Sequence, residues 1–141
     1  MSDIEVKPLN WKPTPGIGYS VTRRPDGGMN YTFTDVSRAT LEHWREFALQ
    51  HLYDSDRLTR NLYDLRQVKA ISEEAIGMAV EANSDPAARH IRVAVVVGSE
   101  KFRAAVQQIA DLTAGGGVEL GIFFDNQEAE AGLDRPLTTL V

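Results

Sequence analysis

Residues 60–75 read Arg-Asn-Leu-Tyr-Asp-Leu-Arg-Gln-Val-Lys-Ala-Ile-Ser-Glu-Glu-Ala, and this stretch decides the fold. Its first half has the apolar and aromatic composition of a β-strand. Its second half opens a helix, because Ser72 followed by two glutamates is typical of a helix N-terminus. Asp64 comes near the end of the strand, where α/β sheets place their binding groups. The stretch therefore predicts a strand-to-helix junction beside a candidate site.

The residues before this junction predict a β-hairpin and a helix. Two runs of alternating apolar residues flank a Pro-Asp-Gly-Gly turn at positions 25–28. These runs consist of Ile17, Tyr19 and Val21, and of Met29, Tyr31 and Phe33. Apolar residues at helical spacing then follow a capping residue, which is either Ser37 or Thr40. They are Leu41, Trp44, Ala48 and Leu52.

The residues around and after the junction continue the alternation of strands and helices. Strands are predicted over residues 58–65, 91–97 and 118–124. The helix that Ser72 opens should end at Asp85-Pro86, and the next helix should end at glycines 115–117. The inner face of that second helix is predicted to hold Phe102, Val106, Ile109 and either Leu112 or Thr113. A last helix, capped by Asp125, is predicted over residues 126–133.

The element order is therefore β-β-α-β-α-β-α-β-α, which predicts an α/β fold. Crossover helices between the later strands make the sheet mostly parallel, and the hairpin adds an antiparallel edge. We expect the helices to pack on this mixed sheet. The predicted organisation is an irregular N-terminal arm over residues 1–15, one domain over residues 16–133 and a C-terminal tail over residues 134–141.

Composition excludes several classes of function. The net charge of −5 argues against a nucleic-acid binder and against docking on anionic membranes. The chain has no cysteine, so disulfides, thiolate metal sites and thiol catalysis are excluded. We recognise no motif for a metal, a cofactor or a nucleotide phosphate. The first residues lack the pattern of a signal peptide, and we expect a cytoplasmic protein.

The element order and several motifs resemble the SpoIIAA-like superfamily, which has the fold of the anti-sigma factor antagonists, or STAS fold. The chain looks most like the uncharacterised bacterial STAS-like proteins of that group. The matching residues are Trp44, Leu62-Tyr63-Asp64-Leu65-Arg66, Ala94-Val95-Val96-Val97, Ser99, Phe102, Phe124-Asp125 and Ala129. The resemblance spans about residues 16–133 and implies a SpoIIAA-like fold with a regulatory role that is exercised through protein contact.

One departure from the resemblance concerns the phosphorylation switch. In phosphorylated antagonists an Asp-Ser-Ser-Gly motif follows the third strand, and the serine at the helix start accepts the phosphate. Laid on this chain, the motif falls on residues 72–75, and the acceptor position holds Glu73. Ser72 lies one position early, and the two glutamates that follow it would repel a phosphate there. The sequence thus favours a simple capping role for Ser-Glu-Glu.

A small-ligand pocket at the C-terminal edge of the sheet is one hypothesis for function. Its candidate residues are Asp64, Arg66, Ser72, Ser99 and Asp125. Their alternative roles are structural: Asp64 would pair with Arg66, and Asp125 would cap the last helix. An apolar ligand held by these polar groups would make the chain a small-ligand-binding domain.

The leading hypothesis is a non-enzymatic STAS-like domain that binds a second copy of itself or another protein. Edge strands readily pair, so we expect a self-association surface at the hairpin, near Tyr19, Tyr31 and Phe33. The first helix and the N-terminal arm are the other candidate surface. The third hypothesis is a hydrolase or metal-dependent enzyme built on Asp64 and Asp125. It ranks last, because the sequence offers no recognisable pair of nucleophile and base.

Overall fold

The computed structural model describes residues 14–25, 28–53, 59–84, 91–113 and 118–134. These residues form the elements β1 (Tyr19–Arg23), β2 (Met29–Phe33), α1 (Arg38–Tyr53), β3 (Thr59–Asp64), α2 (Glu73–Asn83), β4 (Ile91–Val96), α3 (Glu100–Thr113), β5 (Val118–Phe123) and α4 (Asn126–Asp134). The predicted element order and the α/β class are both confirmed.

The strands form one sheet in the spatial order β1-β2-β3-β4-β5. β1 is antiparallel to β2, and each later strand is parallel to its neighbour, as the sequence predicts. In the register, Tyr31 of β2 lies opposite Val21 of β1 and Tyr63 of β3. The carboxyl ends of the parallel strands therefore lie side by side at one edge of the sheet.

One face of the sheet is covered by α1, α2 and α3, and the larger core lies between them. β2 contributes Met29, Tyr31 and Phe33 to this core, since alternate residues of a strand point to the same face. The aromatic side chains pack closely, with ring centroids 5.3 Å apart for Tyr19 and Phe33 and 4.7 Å apart for Tyr31 and Tyr63. This packing ties the hairpin to the rest of the sheet.

The position of these rings corrects the prediction that they contribute to a self-association surface at the hairpin. Tyr19, Tyr31 and Phe33 are all buried in the larger core, so they cannot form an exposed contact surface. Alternation correctly placed the three side chains on one face. The prediction was wrong for these side chains because α1 covers that face: the rings of Trp44 and Phe47 pack against them. Pairing along the outer strand β1 remains a prediction.

The other face of the sheet is covered by α4, with a smaller core of Leu62, Ala94, Val96, Ala129 and Leu133. All six residues of β4 are buried, because helices cover this strand on both faces. That is the environment which its run of β-branched residues predicts.

Two arginines, the buried Arg24 and the partly buried Arg60, also hold α4 on the sheet. Arg24 donates to both carboxylate oxygens of Glu130, at 2.9 and 3.1 Å, and to the side-chain oxygen of Asn30. The Nε of Arg60 donates to the carbonyl oxygen of Leu133 in the last turn of the helix. A cation is favourable there, because the last carbonyls of a helix carry partial negative charge. These contacts orient α4 over β3 and β4.

The helix boundaries settle two alternatives that the sequence left open. Ser37 caps α1, since its hydroxyl accepts a hydrogen bond from the backbone N–H of Thr40 at 3.3 Å. On α3, Thr113 is buried and its hydroxyl donates to the carbonyl of Ile109, whereas Leu112 is 61% exposed. The inner stripe of α3 therefore ends in Thr113.

Some predicted features lie outside the described residues. They are the centre of the hairpin turn at 26–27, the helix stop at Asp85-Pro86, the glycines at 115–117, most of the N-terminal arm (1–13) and most of the C-terminal tail (135–141). The division into arm, domain and tail remains a prediction.

Gly28 precedes β2 at a close approach between backbones. A Cβ at this position would overlap the carbonyl oxygen of Arg60 in β3. We expect Gly28→Ala to lower the free energy of unfolding by about 2 kcal/mol, because the backbone must move to accommodate the methyl group. Urea unfolding, followed by circular dichroism, measures this change.

Gly77 supplies the matched control. It lies inside α2, where a Cβ would meet open space. We expect Gly77→Ala to raise the free energy of unfolding by about 0.5–1 kcal/mol, since alanine is the better helix former. A Gly28→Ala variant as stable as the wild type would contradict the close approach.

Candidate functional site

The parallel strands bring several polar residues together at one end of the sheet. Backbone pairing continues past the strands: Leu65 N–H donates to the carbonyl of Val96 at 2.8 Å, and Val97 N–H donates to that of Phe123 at 2.9 Å. The residues just beyond these bonds thus lie next to one another. We call them the C-terminal edge, which comprises Asp64, Arg66, Gly98, Ser99, Phe124 and Asp125.

Asp64 and Arg66 form a bidentate ion pair within this edge. The Nε of Arg66 donates to Oδ1 of Asp64 at 3.0 Å, and Nη2 donates to Oδ2 at 2.8 Å. The backbone N–H of Arg66 adds a third hydrogen bond to Oδ1. This is the structural alternative that the sequence left open for Asp64, and such pairs are among the stronger charge interactions.

The electrostatics of the pair follow from these bonds. Burial alone would raise the pKa of Asp64, but the hydrogen bonds from Arg66 outweigh it and hold the pKa below its usual value of 3.8. The pKa of Arg66 is raised, chiefly by its hydrogen bonds to Asp64 and further by the charge of Asp125. Asp125 therefore lies near enough to Arg66 to contribute to the field at this edge.

The other predicted ligand residues each open a helix. The hydroxyl of Ser72 accepts a hydrogen bond from the N–H of Ala75 at 3.0 Å, and that of Ser99 accepts one from Phe102 at 3.3 Å. The carboxylate of Asp125 accepts one from the N–H of Glu128 at 2.8 Å. These side chains satisfy backbone donors that a helix start leaves free. A binding role for the five predicted residues remains a prediction.

Phe124 is the exposed aromatic residue of the C-terminal edge. It is 51% exposed, whereas the preceding Phe123 packs against the smaller core near Gly132. The sequence predicted a strand through residue 124, but β5 ends at Phe123. Two adjacent aromatics in a strand point to opposite faces, so the pattern could show that they separate but not which one stays uncovered.

An apolar cavity of about 80 Å³ lies between the sheet and the three helices α1, α2 and α3. Its lining includes Trp44 and Tyr63, and it reaches Leu65 and Ile71 beside the C-terminal edge. None of the five predicted ligand residues lines it. The sequence could not locate this cavity, because empty volume depends on how side chains of three helices meet.

Two further observations bear on the chemistry of the described residues. Among residues 14–25, 28–53, 59–84, 91–113 and 118–134, no group of three or more histidine, aspartate or glutamate side chains lies close enough to hold a metal ion. Within the same ranges, no helix is both long enough and apolar enough to cross a membrane.

The topology and the position of the C-terminal edge define a SpoIIAA-like α/β fold, and the resemblance seen in the sequence is confirmed at the level of the fold. The chain is similar to the crystal structure of an uncharacterised protein of the DUF3478 family from Shewanella loihica PV-4, which is described as having a SpoIIAA-like fold.

The TM-score of this match is 0.63 at 15% sequence identity, and it covers 87% of this chain and 99% of the other. At this identity the likeness shows the fold alone. Neither a protein-family model nor a curated protein sequence matches the chain.

The ion pair at the C-terminal edge predicts a pH-dependent stability. We expect Arg66→Gln to lower the free energy of unfolding at pH 7 by about 0.5–1 kcal/mol, as for other partly exposed pairs. The pKa of Asp64 is lower in the folded chain than in the unfolded chain. The stabilisation is therefore present above about pH 4 and is lost as the pH falls through the folded pKa.

Urea unfolding of wild type and variant across this pH range tests the sign. The difference between them should be largest near neutral pH and should shrink as the pH falls through the lowered pKa of Asp64 in the folded chain. Arg38→Gln controls for the change in net charge, because it removes an exposed arginine of α1 whose nearest carboxylate oxygen, on Glu42, is 3.4 Å away. If the difference in the free energy of unfolding between wild type and Arg66→Gln does not vary with pH, the stabilising role of the Asp64–Arg66 ion pair is contradicted.

Proposed function

We propose that the chain is a non-enzymatic STAS-like domain that acts by binding a protein partner, either a second copy of itself or another protein, in the cytoplasm. The contact surface is the C-terminal edge. The observation that carries the proposal is the exposed ring of Phe124 in the same edge as the Arg66 guanidinium, which is 44% exposed. The proposal involves no cofactor, nucleic acid or membrane.

The composition of this edge supports a protein contact. Aromatic residues and arginine are enriched among the residues that contribute most to binding at protein interfaces. Phe124 offers apolar area, and Arg66 is held rigid by its two side-chain bonds to Asp64. Burial of Arg66 by a partner would therefore cost little side-chain entropy.

The polar groups of the edge support a structural role rather than catalysis. Asp64 is engaged by Arg66, and the side chains of Ser99 and Asp125 each accept a hydrogen bond from the helix that follows them. A catalytic group needs to reach a substrate atom or a partner base. The hydrolase or metal-enzyme alternative, built on Asp64 and Asp125, therefore has less support than the interaction domain.

The start of α2 supports a contact that is not switched by phosphate at this position. The hydroxyl of Ser72 serves as the N-cap, and Glu73 and Glu74 occupy the first turn of the helix. Their negative charges lie at the positive end of the helix dipole, where a phosphate would otherwise be favoured. In the proposed function the binding state is constitutive.

A small apolar ligand is the second candidate function, and the cavity beneath α1, α2 and α3 favours it. The sequence-based hypothesis placed the pocket at the C-terminal edge, whereas the cavity lies mainly inside the larger core. A ligand there would occupy a different part of the molecule from the proposed contact surface, so the two functions are compatible.

Site-specific photo-crosslinking in the host organism tests the contact surface. A photoreactive phenylalanine analogue at position 124 should give a discrete cross-linked product, of two chains or of one chain and a second protein. We expect Arg66→Glu to reduce that product several-fold, because it reverses a charge of the C-terminal edge and breaks the pair with Asp64.

Leu112 supplies the matched control position. It is also a large exposed apolar residue, but it lies in the last turn of α3, toward the end of the sheet at which β5 begins. The same analogue at position 112 should give little of the product. Equal products at both positions, or none at position 124, would refute the proposed surface.

A further inference from the structure

The cavity beneath the helices owes its volume to small side chains on α2. Ala75 and Ala79 lie one helical turn apart and both face the cavity. Opposite them are carbon-rich side chains of the sheet and of α3, among them Val95 and Val106. A volume of about 80 Å³ exceeds what one water molecule needs, but an apolar lining offers water few partners.

The indole of Trp44 brings to this space a hydrogen-bond donor that makes no well-formed hydrogen bond. Trp44 is only 5% exposed, and its Nε1 is buried without a hydrogen-bond acceptor among the described residues. Buried donors are almost always paired, because an unpaired one has lost its hydrogen bonds to water without replacement. The donor is therefore a group that a bound molecule could satisfy.

Trp44 also stands between two cavities. A second cavity, of about 30 Å³, lies beside the first, and Trp44, Tyr63, Asn83 and Val93 line both. Burial raises the pKa of Tyr63, and a weak interaction with the indole N–H of Trp44, which falls short of hydrogen-bond geometry, partly opposes that rise. The Tyr63 hydroxyl thus remains protonated at neutral pH. The wall that the two cavities share thus carries three polar groups, on Trp44, Tyr63 and Asn83, and the rest of the larger cavity is apolar, which is the usual composition of a small-molecule site.

We infer that the space around Trp44 is a binding site for a small, mostly apolar, neutral molecule that carries one hydrogen-bond acceptor, such as a cyclic or short-chain ketone, aldehyde or ester. The acceptor bonds the indole N–H of Trp44, which can only donate. The hydrocarbon part fills the cavity under α2. The ligand is neutral because a charge at this depth would be desolvated. Arg45 also lines the smaller cavity, but it already has a carboxylate partner, since its Nη1 lies 3.5 Å from Oε1 of Glu81.

Cyclopentanone and cyclopentane form a matched pair of probes for this site. They have the same ring, and only the ketone has an acceptor. The chain has two tryptophans, Trp11 and Trp44, so its ¹H–¹⁵N spectrum contains two indole signals, and Trp11→Phe, which removes one of them, assigns both. Cyclopentanone should move the Trp44 indole proton downfield in a saturable manner, and cyclopentane should give no such downfield shift.

Two variants separate recognition of the acceptor from filling of the cavity. Trp44→Phe keeps an aromatic ring but removes the donor, so it should lower the affinity for cyclopentanone about fivefold relative to that for cyclopentane. The methyl signals of the larger core report the binding of both probes. Ala79→Leu places extra carbons in the cavity and should abolish binding of both probes.

Each outcome decides the inference. It is overturned if neither probe gives a saturable change, if Trp44→Phe leaves the ratio of the two affinities unchanged, or if Ala79→Leu still binds both. Should Trp44→Phe fail to fold, the wild-type indole shift decides alone: the same response to both probes overturns the role of the donor. The cross-linking result at position 124 is independent of all these outcomes.

Discussion

The structure depends on the burial of β4 on both faces. Every residue of this strand is buried, so one layer of helices cannot suffice, and the chain supplies α1, α2 and α3 on one face and α4 on the other. Both faces of the central strands are then covered. The polar residues that follow β3, β4 and β5 are left at the C-terminal edge, which is where parallel sheets commonly place their functional groups.

The sequence could predict the parts of the molecule that residues close together in the chain determine. Period-2 and helical spacing gave the element order, and short-range chemistry gave the caps at Ser72 and Asp125. The pairing of Asp64 with Arg66 was foreseen as the structural alternative, because the two residues are close in the chain. In each case the information lies within a few residues.

The features that the sequence missed depend on contacts between distant elements. Tyr19, Tyr31 and Phe33 share a face, but only the placement of α1 makes that face the core. The sequence could not identify Phe124 as the exposed residue, because its neighbour Phe123 is also a phenylalanine and packs against the smaller core. The cavity forms where the alanines of α2 face side chains of α1, α3 and the sheet. Local sequence patterns do not encode how these distant elements meet.

The central claim is that the domain works through contact at the C-terminal edge. Native mass spectrometry of the chain, purified from its own host without denaturation, tests it most directly. We expect an assembly of two chains, or of one chain with a second protein, and we expect Phe124→Ser to shift the population towards the single chain. A wild-type chain that is monomeric and carries no bound protein at every concentration would contradict the claim.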